Sequence, residues 1–155
     1  MNITNKCILG ISVLAIACFV FSAYEAKSEV AQRKKDYNLY IQANQSLQTG
    51  KELDKALLSV ESIEKKYGQS DVLYITKADL YKVSKRYDKA QKEFQKAYDS
   101  YIHLQNKVPF LVSYADVAIE NKDKDTARKL LEKAKKLGIP NEYKDITDKI
   151  VSQIS

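Results

Sequence analysis

The sequence predicts an all-α protein: three helical hairpins stacked as a solenoid, a short capping helix behind them, and a single transmembrane helix in front. Three observations predict it. Gly and Pro are scarce, four and two in 155 residues, while charged residues make up 30%, a helical balance. From residue 37 onward apolar residues recur at steps of three and four rather than two, the period of helices with one buried face. Residues 7–24 carry no charge at all.

The central hairpin covers 71–104. Tyr74, Ala78 and Tyr81 mark one face of a first helix, and Tyr87, Ala90, Phe94, Ala97 and Tyr101 one face of a second. Ser84-Lys85-Arg86 between them is polar and short, a tight connection. Such a hairpin cannot bury its apolar face alone and needs neighbours of the same kind.

Neighbours exist on both sides. A shift of 34 residues back places Tyr40, Leu47, Leu53, Ala56 and Val60 under Tyr74, Tyr81, Tyr87, Ala90 and Phe94, with Gly50 in the turn. A shift of 37 forward places Ala115, Ala127, Leu131 and Ala134 under Ala78, Ala90, Phe94 and Ala97, with Gln105, Asn106 and Lys107 as the insertion. The copies span 37–70, 71–104 and 108–141. Asn44 breaks the small-residue pattern of the first copy, and Lys124 replaces the aromatic corner of the third.

The order of small and aromatic residues in 71–104 resembles a tetratricopeptide repeat. Small residues let two helices approach closely and aromatics fill the flanking gaps. The resemblance implies a concave surface made by the first helix of each copy. On it would lie Asn38, Ile41, Gln45, Gln48 and Thr49, then Val72, Ile75, Asp79, Lys82 and Val83, then Pro109, Val112, Asp116, Ile119 and Glu120. It also implies that this surface binds a protein. The subgroup that clamps chaperone tails uses Lys and Asn in its first repeat and Lys and Arg in its third. Here those places hold Ile41, Gln45, Pro109 and Ser113, so that partner is not implied.

Ahead of the repeats, a six-residue tail (1–6) precedes the apolar segment 7–24. Eighteen residues of helix rise about 27 Å, enough for most of a hydrocarbon core of about 30 Å. The segment also suggests a cleaved signal cut after Ser22, or lipid attachment at Cys18. Val20 fits the first poorly, and the apolar Phe19-Val20-Phe21 beyond the cysteine fits the second poorly, which favours an uncleaved anchor. Residues 25–36 follow without Gly or Pro as a charged helical stalk. Lys27, Arg33, Lys34 and Lys35 outnumber Lys6, which argues for a cytoplasmic domain. The short tail with one Lys has the form of a signal-anchor, which delivers the following domain to the extracytoplasmic side. The signal-anchor form favours the extracytoplasmic side.

After the third copy, Gly138 suits a helix C-cap and Pro140 stops continuation. Asn141 can cap a last helix carrying Tyr143, Ile146, Ile150 and Ile154 on one face, a capping helix over 142–155.

Catalytic, cofactor and metal chemistry are not predicted. His103 is the only histidine, and both cysteines, Cys7 and Cys18, precede the repeats. Nucleophile pairs and Cys-ligated metals therefore have nothing to draw on there. Four scattered glycines make no phosphate loop. Asp123 and Asp125 read as solvated turn residues, and Asp125 with Lys129 and Glu132 with Lys136 as surface pairs. Residues 25–155 hold 25 basic against 20 acidic side chains. Asp123, Asp125 and Glu132 break any basic stripe, which excludes nucleic acid. The basic stalk beside a bilayer suits anionic headgroups. Asn2-Ile3-Thr4 and Asn44-Gln45-Ser46 spell glycosylation sequons, a weak pattern.

The expected function is that of a membrane-tethered adaptor. Ile75, Val83, Val112 and Ile119 supply apolar anchors, and Asp79, Lys82, Asp116 and Glu120 the polar rim, for a protein or peptide partner. The alternative is a structural subunit packed permanently against others of its assembly.

Overall fold

The structure, a computed structural model, describes residues 25–154. The predicted tail 1–6 and predicted membrane segment 7–24 lie outside the described residues. Among the described residues no helix is long and apolar enough to cross a membrane.

The chain is all-helical. The helices are α1 (Ile3–Thr49), α2 (Leu53–Tyr67), α3 (Asp71–Val83), α4 (Tyr87–Ser100), α5 (Val108–Glu120), α6 (Lys124–Leu137) and α7 (Lys144–Ile154). Single 3-10 turns precede α5 (Leu104–Asn106) and α7 (Asn141–Tyr143). The chain divides into two units, Met1–Leu39 and Tyr40–Ser155.

Of the first unit, residues 25–39 are described. They are exposed apart from Asp36 and Leu39. Gln32 Nε2 donates to Asp36 Oδ1 (2.9 Å), and Arg33 lies 3.7 Å from Glu29.

The second unit is a stack of hairpins with a helical-repeat arrangement. α3 packs along α4 and α5 along α6, α2 leans on α3, α4 on α5, and α7 on both α5 and α6. Two apolar clusters hold it. The smaller joins Ala43 to Ala56, Leu57 and Val60 of α2 and Leu73 and Leu80 of α3. The larger runs from Tyr74 through Phe94, Phe110 and Tyr114 to Ile150 of α7, and Tyr81 touches both. Phe94 stacks on Tyr114 with centroids 5.5 Å apart and meets Phe110 edge-on. Each such ring contributes about 1.5–3 kcal/mol by burial.

Most residues paired by the sequence shifts share their burial, Tyr40 and Tyr74 being an exception. Ala56, Ala90 and Ala127 are all enclosed, as are Val60, Phe94 and Leu131, and Ala78 and Ala115. Asn44 stays half-buried and turns its amide back onto the Tyr40 carbonyl (2.9 Å), while Ala43 beside it is enclosed.

Local signals explain the boundaries. Ser70 caps α3 by accepting from the Leu73 amide (3.2 Å), and Pro109 sits in the first turn of α5, where its missing N–H has no helical partner to lose. Gly138, at φ 86°, ends α6. Asp123 corrects the sequence reading. It is half-buried, not a solvated turn residue. It caps α6 through the Thr126 amide (3.0 Å) and accepts from Gln91 (2.6 Å). These hydrogen bonds, led by that of the Thr126 amide, hold its carboxyl below the usual range. Asp125 meets Arg128 at 3.0 Å. The last helix begins with a 3-10 turn at Asn141, and α7 proper starts at Lys144.

Candidate functional site

The predicted concave residues lie on α3 and α5, and α7 divides them into a closed part and an open part. α5 is apolar around most of its circumference, with Val108, Phe110, Leu111, Val112, Val117, Ala118 and Ile119 all buried. A helix of that kind must be covered on both sides. α6 covers one and α7 the other, through the enclosed Ile150 and the partly buried Ile146 and Ile154. Val112 is 1% exposed and Ile119 8%. They belong to the core and offer no free anchor to a partner.

Charged groups close the seam between α3, α5 and α7. Asp116 is itself buried. Its Oδ2 receives Lys82 of α3 at 2.7 Å and its Oδ1 lies 3.5 Å from Lys149 of α7. Lys149 also reaches Glu120 at 2.8 Å. The Glu120 hydrogen bond, opposed by partial burial and aided by Asp116, holds the Lys149 ammonium above its ordinary value. Of the eight predicted site residues, Asp116, Lys82 and Glu120 are therefore drawn together in one ion network, by a lysine that the sequence reading had not placed.

The open part is the α3 face. Ile75 is half-buried against the larger cluster, Asp79 is half-buried one turn on, and Val83 is 41% exposed. Burial pushes the Asp79 carboxyl up to about 6, and Lys82 offsets this only in part. The Lys82 ammonium is turned instead to Asp116. Val72 at the start of α3, and Ile41, Gln45 and Gln48 on α1, are exposed as well.

A second ionic cluster went unread in the sequence. Lys77 of α3 is buried, with Nζ 2.8 Å from Glu64 of α2 and 2.9 Å from Glu93 of α4, and Lys96 pairs with Glu93 at 2.7 Å. Its ammonium lies 5.1 Å from the Tyr74 ring centroid. Burial alone would lower the Lys77 pKa, but the hydrogen bonds to Glu64 and Glu93 outweigh it and raise it. The only available signal was a lysine between Thr76 and Ala78 on the inward side of α3.

His103 is exposed and pairs with Asp71 at 2.9 Å, tying the loop before α5 to the start of α3. Among the described residues no group of His, Cys, Asp or Glu could hold a metal ion. Compared with known proteins, the sequence matches no family model and no curated protein.

Proposed function

We propose that the chain is a membrane-tethered, protein-binding adaptor of tetratricopeptide-like build. Residues 7–24 anchor it, the stack stands on the extracytoplasmic side, and the open α3 face holds a segment of a partner protein. One observation carries this reading. Along α3 Val83 is exposed and Ile75 and Asp79 are only half-buried, while α7 closes the neighbouring α5 face over Val112 and Ile119. An open apolar stripe with a half-buried carboxylate in it suits an apolar segment that carries a Lys or Arg.

A photo-crosslinking amino acid at Val83 in the intact protein, in its own membrane, tests the site. The control is the same group at Leu58, exposed on α2. A discrete adduct at Val83 alone is expected. Adducts at Leu58 and none at Val83 would move the binding surface off α3. The side of the membrane is tested with Ser155→Cys in a chain with Cys7→Ser and Cys18→Ser. A membrane-impermeant thiol reagent should label it in intact cells, and labelling only after lysis would place the stack in the cytoplasm.

A second reading, a structural subunit packed permanently against others, draws support from α1. Its described part exposes Val30 and Tyr37.

A further inference from the structure

Residues 25–39 carry a face that no other described residue of their unit covers. Val30 is 67% exposed and Tyr37 63%, and Ala26 and Arg33 are exposed with them. The four fall at steps of four, three and four along α1, the spacing of a two-stranded seam. Val30 and Tyr37 then occupy one set of core positions, Ala26 and Arg33 the other. Arg33 is the polar member of the seam, and Glu29 on its own helix, 3.7 Å away, partly neutralises it. A polar residue at one core position costs stability but sets register.

The flanking charges select the partner. Glu29 precedes Val30 and Lys34 follows Arg33, on opposite flanks of the seam. In a parallel, in-register pair each flank position meets the one five residues further along the other chain. That places Glu29 of each copy beside Lys34 of the other, twice by symmetry. An antiparallel pair would set acids against acids and lysines against lysines. The face is thus complementary to itself, in one orientation only.

We propose that residues 26–37 of α1 pair in parallel with the same segment of a second copy of this chain. The proposal rests on the reading of 7–24 as a membrane anchor. Twelve residues, less than two heptads, are too short to hold a pair in free solution. Copies anchored in one bilayer share an orientation and a raised effective concentration, which supplies what the short seam lacks.

Disulfide scanning of the full-length chain in its own membrane tests this. Cys7→Ser and Cys18→Ser remove the background, and single cysteines are placed at Ala26, Val30, Tyr37, Ser28, Gln32 and Lys35. Oxidation should give dimer at Ala26, Val30 and Tyr37, and at least about fivefold less at the other three, which lie across the helix from the seam. With the cysteine at Val30, Lys34→Glu should lower the yield severalfold, and adding Glu29→Lys should restore it. Equal yields at all positions, or maxima at Ser28, Gln32 and Lys35, would overturn the pairing. Low yields with the cysteine at Lys35 shielded from a water-soluble maleimide would place the stalk on lipid headgroups and overturn it too. A carbonate wash of the same membranes reads the anchor separately. Chain that washes off overturns the anchor and the pairing together, whereas chain that stays but fails to cross-link in this pattern overturns the pairing alone.

Discussion

Lys85 and Lys122 occupy the same place in two successive hairpins and adopt the same left-handed backbone, at φ 59° and 64°. The Lys85 amide donates to the Lys82 carbonyl (2.9 Å) and the Arg86 amide to that of Tyr81 (2.8 Å). Lys122 with Ile119 (2.9 Å) and Asp123 with Ala118 (2.8 Å) repeat the pattern. Both helix ends are closed by the two bonds that normally accompany a glycine.

Lysine in that conformation carries a steric penalty that glycine does not, roughly 1 kcal/mol. Lys85→Gly and Lys122→Gly should each raise stability by about 0.5–1 kcal/mol, and together nearly additively. Thermal melts of the single and double variants measure this. A lower melting temperature in both would show that these turns do not need a left-handed residue.

Ala90 tests the hairpin contact itself. It is fully enclosed where α4 meets α3. Ala90→Asp adds volume and an unpaired buried charge, together worth several kcal/mol against a total of about 5–15 kcal/mol. Circular dichroism should show the variant unfolded or melting far lower. An unchanged melt would mean that the register of the copies is wrong.

The buried Lys77 is expected to matter more through its absence than its presence. Lys77→Met leaves Glu64 and Glu93 facing each other and should cost about 3–5 kcal/mol. Adding Glu64→Gln and Glu93→Gln removes the stranded charges and should recover most of that loss. Denaturant titrations of the single and triple variants separate the two. A triple variant as unstable as the single one would show that packing, not charge, sets the cost.

Much of the fold was legible in the sequence because it rests on local pattern. The alanines at 78, 90 and 97 marked the close approaches of helices; the third copy repeats all three as Ala115, Ala127 and Ala134, and the first only Ala90, as Ala56. The candidate site was less legible, because it depends on which elements meet. Val112 and Ile119 read as an exposed patch when the first-helix positions were taken alone. The apolar residues around almost the whole of α5 were the sign that a second neighbour must cover it. Lys77 could not be recognised as buried until α2 and α4 were in place to bring Glu64 and Glu93 to it. Asp123 looked like one acid among lysines, and only the turn geometry made it a cap.

Asp79 gives the stack a pH dependence of definite sign. Its folded pKa, about 6, lies above the ordinary 3.8. The folded state therefore favours the protonated acid, and that stability is fully present below about pH 4 and lost as pH rises through 6. A shift of this size corresponds to at most about 3 kcal/mol. Asp79→Asn cannot ionise. It should be more stable than the parent at pH 7–8, by up to about 2–3 kcal/mol, and equal to it at pH 4. Melting curves at the two pH values measure the difference, and an equal effect at both would show that Asp79 is ordinarily solvated.

Burial separates two halves of one predicted surface, and a single pair of variants distinguishes them. Val112→Ala with Ile119→Ala removes methyl groups from the closed side under α7. The loss for two such truncations is about 2–5 kcal/mol, because the cavity cannot be filled by solvent. Val83→Ala on the open side truncates a side chain that is 41% exposed, so its melt should change by less than about 1 kcal/mol. Partner capture should respond in the opposite sense. Once the weakened fold is held well below its melting temperature, the double variant should keep it. Val83→Ala should lose it by roughly tenfold, which requires only about 1.4 kcal/mol at the interface. Melting curves and capture on the same preparations decide it. A double variant with an unchanged melt would mean that α7 does not close over α5, and that Val112 and Ile119 face outward after all.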